Sequence, residues 1–292
     1  MQKILIYSNC HGGRINEMFD THPSTKHRFS VSFISNYVEL KNETLSEDHF
    51  QLIRECDFFI YQPLSKTYEN TEYDINHIKD YLKPSCVLFR INYYRFKGFW
   101  YESTVKPYTA HGFYKFSDRP EEFGIHDSFS NIDAKISMSD VRRKIDDIKL
   151  DETAFAEYFQ EELIKFKDLD TKSDVHMYDF FLENYQTVPL FHDCFHPNSR
   201  FFYEVFRQTV NTLFQISLPL RDENFHEKIY ELTTFAQPVL PVIKKSLCMT
   251  SIPDKFYWFD TCFGTKILFL DVYDYYYIRL SPDNLDEFIK NI

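Results

Sequence analysis

Four short apolar runs, at residues 3–7, 29–34, 57–61 and 86–91, punctuate the N-terminal part of the chain, and each is partly β-branched or aromatic. Between them lie stretches with helical spacing at 14–20, 46–55 and 73–82, the last stopped by Pro84. Strands separated by helices of this length cannot close as hairpins, so they pair in parallel, and a parallel sheet is covered on both faces. The expectation is an α/β protein built on a mainly parallel sheet. In such sheets ligands gather at the carboxyl ends of the strands. Those ends are polar here: Ser8-Asn9-Cys10 after the first run, Gln62-Pro63-Leu64-Ser65 after the third, and Arg90 and Asn92 at the fourth.

The remainder departs from that rhythm. Residues 93–133 are irregular and rich in rings, among them Tyr93, Tyr94, Phe96, Phe99, Trp100 and Tyr101, and a connection of this length reads as a functional loop. Helical signals return at 139–147 and 153–168, where Phe155, Tyr158, Phe159, Leu163 and Phe166 recur at helical spacing and read as core. A helix at 174–185 and a short strand at 188–191 lead into Phe191-His192-Asp193-Cys194-Phe195-His196-Pro197-Asn198. Pro197 then opens a helix reaching about residue 216. Past Pro219, a helix at 225–235, strand-like runs at 256–259 and 267–277, and a closing helix at 283–292 predict a small α+β tail. The expected division is an α/β catalytic domain over 1–216, with its aromatic insertion at 93–133, and an α+β extension over 217–292.

Charge narrows the partners. With 33 basic and 44 acidic side chains the net charge is −11, which argues against a general nucleic-acid surface. No apolar stretch approaches the roughly 20 residues of a spanning helix, and the N-terminus reads as a strand, so a cytoplasmic protein is expected. The six cysteines, Cys10, Cys56, Cys86, Cys194, Cys248 and Cys262, lie far apart and read as free, mostly buried thiols.

Chemistry concentrates in two clusters. Cys10 stands at a strand-to-helix turn, where backbone N–H groups and the helix dipole favour a thiolate or an oxyanion, and Gly12 and Gly13 allow close backbone approach. Asp193 and His196 are spaced for a carboxylate to orient an imidazole, which completes a nucleophile, base and orienter set for acyl transfer. His192, Cys194 and His196 alternate as metal ligands would on an extended strand, yet they lack zinc-site spacing, and no metal is expected. Gln62, Asn92 and the Cys10 backbone N–H are candidate oxyanion donors.

Taken in order, Ser8-Asn9-Cys10, Gln62-Pro63, Arg90-Ile91-Asn92, Ile125-His126-Asp127 and Leu190-Phe191-His192 with His196-Pro197-Asn198 resemble the WcbI-type capsular polysaccharide biosynthesis proteins over roughly residues 1–216. Ser8 and His11 depart from the glycine and glutamine usual there. The resemblance implies a three-layer α/β/α core like that of SGNH or GDSL hydrolases, and a CoA-dependent O-acetyltransferase acting on a saccharide precursor. In that frame Cys10 takes the nucleophile's place, His196 is the base and Asp193 its orienter. Ser8, Asn9, Gln62, Asn92, His126 and Asp127 would bind substrate or oxyanion, while His11, Gly12, Arg90 and Arg95 would hold the CoA. The implied partners are acetyl-CoA and a saccharide acceptor, and the chain is compatible with a homo-oligomer. Two rivals stay open at this point: a thiol-dependent esterase on the same scaffold, and a non-catalytic CoA- or glycan-binding subunit.

Overall fold

The computed structural model describes residues 1–36, 45–64, 71, 73–100, 103–104, 125–126, 136–222, 239–250, 255–260, 266–280 and 287–288. In chain order these form β1 (Gln2–Ser8), α1 (Cys10–Thr21), β2 (Phe29–Ser35), α2 (Glu47–Glu55), β3 (Phe58–Tyr61), α3 (Ile75–Ile78), β4 (Val87–Arg90), the two-residue strands β5 (Ser103–Thr104) and β6 (Ile125–His126), α4 (Met138–Asp146), α5 (Glu152–Asp170), α6 (Tyr178–Asn184), α7 (Ser199–Phe214), α8 (Pro241–Ser246), β7 (Lys255–Asp260), β8 (Lys266–Asp271) and α9 (Val272–Leu280). They build two compact units, each discontinuous in sequence. One comprises Met1–Arg95, Lys165–Leu182 and Pro197–Tyr230, and the other Phe96–Ile164, Glu183–His196 and Glu231–Ile292.

The first unit holds a four-stranded sheet in the order β2-β1-β3-β4, parallel throughout. Ile4, Leu5, Ile6 and Tyr7 of the central strand are all buried, as expected of a strand covered on both sides. The pleat sends Leu5 and Tyr7 into a cluster with Ile53 of α2, Phe59 of β3 and Ile78 of α3. Ile6 and Ser8 face α1, whose Phe19 meets Phe206 of α7 edge-on at 5.1 Å. Side chains cap two of the helix starts: Ser46 and His49 close a reciprocal box on α2, and Asn198 accepts from Phe201 N–H at 3.1 Å on α7. Gln215 ends α7 with a left-handed residue at φ 55°.

The second unit packs rings. Phe96 lies 4.9 Å from Phe99, 5.4 Å from Phe159 and 6.3 Å from Phe191. Residues 96, 99 and 100, from the start of the expected aromatic insertion, are buried framework of this unit. Phe155, Phe159 and Leu163 are buried as read. Tyr273 of α9 donates to Asp146 of α4 at 2.8 Å, and β7 pairs with β8 as an antiparallel hairpin.

Three local expectations change. The run 73–82 forms a single turn, α3, followed by the 3₁₀ turn Lys79–Tyr81, because Asp74 caps the helix from inside the expected span and Pro84 bars its extension. Residues 188–191 form no strand. Asp193 accepts from the backbone N–H groups of Phe195 at 2.7 Å and His196 at 2.9 Å, which turns the chain and removes the alternation that would have aligned His192, Cys194 and His196. The run 267–277 divides at Asp271, whose carboxylate accepts from Tyr273 and Asp274 N–H and starts α9. The helix expected at 225–235 lies outside the described residues, as does all of 283–292 except residues 287 and 288, which are helical.

Candidate active site

In the first unit the candidate residues stand at the carboxyl edge of the sheet. Ser8 ends β1 at 0% exposure, and its hydroxyl donates to Gln62 Oε1 just past β3 at 2.7 Å. With its carbonyl oxygen so occupied, Gln62 keeps its amide nitrogen as a donor. Asn9 is the N-cap of α1: its side chain accepts from His11 N–H at 3.0 Å and its carbonyl from Gly12 N–H at 2.9 Å. Cys10 is thereby the first residue of α1, exposed at the positive end of the helix dipole.

His11 and Gly12 are buried. The His11 ring is 2% exposed, 4.8 Å from Tyr93 and 5.2 Å from Phe202. A Cβ on Gly12 would come within 2.5 Å of Ser8 Cβ, so this glycine lets α1 press onto β1. Both hold the turn that carries Cys10.

At the end of β4, Arg90 is tied by its backbone: its N–H donates to Asp174 at 2.7 Å and its carbonyl accepts from Asp174 N–H at 2.9 Å. Its guanidinium makes no ion pair among the described residues. Burial pushes the Tyr61 phenol above its ordinary range, and the nearby Arg90 charge opposes that shift. Asn92 is buried and donates from its amide to the Leu169 carbonyl, which places it in the framework beside α5 with one N–H taken up. Arg95 is exposed.

In the second unit the i,i+3 pair is closed. Asp193 is 0% exposed, accepts from two backbone N–H groups, and lies 2.8 Å from Nδ1 of His196, whose side chain is 24% exposed. A carboxylate facing Nδ1 fixes the proton there and makes Nε2 the lone-pair nitrogen, the tautomer of a general base. Lys97 is occupied over the Phe195 ring at 5.4 Å. The backbone of His126 pairs with Ser103, and Asp127 lies outside the described residues. No group of three His, Cys, Asp or Glu side chains suited to a metal occurs among the described residues.

The structure thus joins Ser8 with Gln62 and Asp193 with His196. Cys10 belongs to the first unit and His196 to the second. Asn36, at the end of β2, joins the same edge: it is buried and its amide donates to the Gln62 backbone carbonyl at 3.4 Å. The polar pair Ser35-Asn36 was its signal, the same strand-end signature that marked the other three strands.

No helix among the described residues is long and apolar enough to cross a membrane. A solved structure is similar to this chain with a TM-score of 0.64 and 14% identity, covering 98% of this chain and 90% of its own. It is described as WcbI, a novel polysaccharide biosynthesis enzyme, as native protein without a disulfide bond between CoA and the cysteine at its fourteenth residue. No curated protein matches. The model of the family described as polysaccharide biosynthesis enzyme WcbI matches residues 3–214, more than half the chain, and this protein belongs to that family.

Proposed function

We propose that this protein is a cytoplasmic CoA-dependent acyltransferase that moves an acetyl group from acetyl-CoA to a hydroxyl of a saccharide precursor. The observation that carries the reading is the Asp193–His196 pair, 2.8 Å apart with the carboxylate fully buried. Nε2 of His196 takes the proton of the acceptor hydroxyl, whose oxygen attacks the thioester carbonyl. A tetrahedral oxyanion forms at that carbon. Its collapse breaks the C–S bond, and the departing CoA thiolate receives from His196 the proton taken from the acceptor hydroxyl.

In this reading Cys10 is a CoA-contacting thiol at the start of α1. Its exposure at the first turn of α1 supports that role, as does the mention of CoA with an early cysteine in the similar structure. Ser8, Asn9, His11 and Gly12 fix the turn, Arg90 and Arg95 meet the CoA phosphates, and His126 with Asp127 contacts the sugar. We further read the parallel sheet, with α1 and α7 on one face and α2 on the other, as an SGNH-like three-layer core.

The test is incubation with acetyl-CoA and a panel of saccharides, following CoA release and the mass of the sugar together. An acetylated sugar that disappears in His196→Gln is the expected result, with weaker CoA binding in Cys10→Ala. Acetate release without sugar product would make the protein a hydrolase. Unchanged ligand binding without turnover in any variant would leave a binding subunit.

A further inference from the structure

Two cysteines outside the candidate site meet in the fold although 30 positions separate them. Cys56 follows α2 and precedes β3, and Cys86 precedes β4. The parallel register that sets Phe58 opposite Val87 brings the two lead-ins side by side, with the sulfurs 3.6 Å apart. Cys56 is buried and Cys86 half-buried, so one sulfur is screened and the other reachable from solvent. Lys83 stands next to them, its ammonium bonded to the Asp57 carboxylate and to the Glu55 carbonyl at 3.2 Å. The thiol of Cys56, and to a lesser degree the charge of Lys83, hold Cys86 below the ordinary thiol range, while Cys56 is pushed up by the same contact and by burial. A thiolate-prone, accessible sulfur backed by a protonated buried one is the arrangement of an attacking and a resolving thiol.

We propose that Cys56 and Cys86 form a redox-reactive pair that hydrogen peroxide closes to a disulfide, tying the start of β3 to the start of β4. The Cys86 thiolate attacks one peroxide oxygen, breaks the O–O bond and releases hydroxide, leaving a sulfenic acid. The Cys56 sulfur then displaces that oxygen from Cys86 as water, its own proton leaving with it. Two thiols and one peroxide become one disulfide and two waters. The sulfurs close from 3.6 Å to about 2.0 Å, a movement within reach of side-chain rotation.

Peroxide treatment of the folded full chain, followed by non-reducing proteolysis and mass spectrometry, tests this. The expected product is a peptide pair linked through Cys56 and Cys86, released by dithiothreitol, with Tm raised by about 5 °C or more in the oxidised protein. Cys86→Ser loses both the linked pair and the rise while its reduced melting matches the reduced wild type, and Cys10→Ser retains both. Accumulation of a Cys86 sulfinic acid without the link, or a link from Cys86 to another cysteine, would overturn the proposal.

Discussion

Replacing Gly12 with alanine destabilises the first unit by about 2 kcal/mol, whereas the same change at Gly13 stabilises it. A Cβ on Gly12 lands 2.5 Å from Ser8 Cβ, 2.9 Å from Ile6 Cγ2 and 3.0 Å from the Phe33 ring, against a comfortable separation of about 3.5–4.0 Å. Ser8 and Ile6 are both at 0% exposure on the central strand and cannot give way. Helix α1 must therefore lift by roughly 1 Å, which places the cost near the upper end of the ~1–3 kcal/mol typical of overpacking. Alanine returns about 1 kcal/mol of helix propensity, leaving a net loss of about 2. On Gly13 the added carbon meets Phe33 at 3.5 and 3.7 Å, an ordinary contact, so only the propensity gain of up to about 1 kcal/mol remains. Urea unfolding measures both, with the Gly12→Ala midpoint lowered by roughly 0.5–1 M. Because the lifted helix carries Cys10, alkylation of that thiol changes rate and the proposed turnover falls on the order of 10²-fold. A Gly12→Ala protein as stable as wild type, or a Gly13→Ala protein less stable than Gly12→Ala, would refute the packing argument.

Asp193→Asn keeps the backbone acceptor but offers Nδ1 of His196 an N–H, which moves the ring proton to Nε2; acetyl transfer drops on the order of 10³–10⁴-fold with the circular dichroism spectrum unchanged, and a loss under tenfold would sink the base assignment. Ser8→Ala removes the hydroxyl that Gln62 Oε1 accepts and costs about 1–3 kcal/mol; a double change with Gln62→Met that costs the sum of the single changes would show the pair to be uncoupled. His22 is buried, and desolvation lowers its pKa from 6.5, with the weaker pull of Asp222 opposing. Its folded value lies below its unfolded one, so its contribution is complete above about pH 6.5 and is lost as pH falls. Stability of wild type measured from pH 7.5 down to about pH 5 falls more than that of His22→Asn, and equal slopes would remove His22 from the account.

The parallel sheet was legible because each strand is a short apolar run that needs no distant partner to announce itself. Strand order was not, since β1 lies between β2 and β3 through contacts that no periodicity encodes. The Asp193–His196 pair could be read from spacing because both residues share one turn. The meeting of Cys56 with Cys86 could not, because it depends on the register of β3 against β4. In two places an aspartate side chain decided the outcome: Asp193 turns the segment that holds His192, Cys194 and His196, and Asp271 converts half of an expected strand into α9. A hydrophobic pattern records which face is buried, but such runs fit either element. A carboxylate that accepts two consecutive N–H groups settles the choice locally.

Both candidate reactive groups stand beside an asparagine that starts a helix. Asn9 caps α1 directly before Cys10, and Asn198 caps α7 two residues after His196. A cap fixes the backbone by satisfying N–H groups that a helix end leaves open, and it does so with a neighbour's side chain. Asp193 performs the same service on the other side of His196, holding its N–H as well as its ring. The residues flanking each reactive group are thus engaged in backbone hydrogen bonds. At both positions a neighbouring side chain completes the local backbone structure.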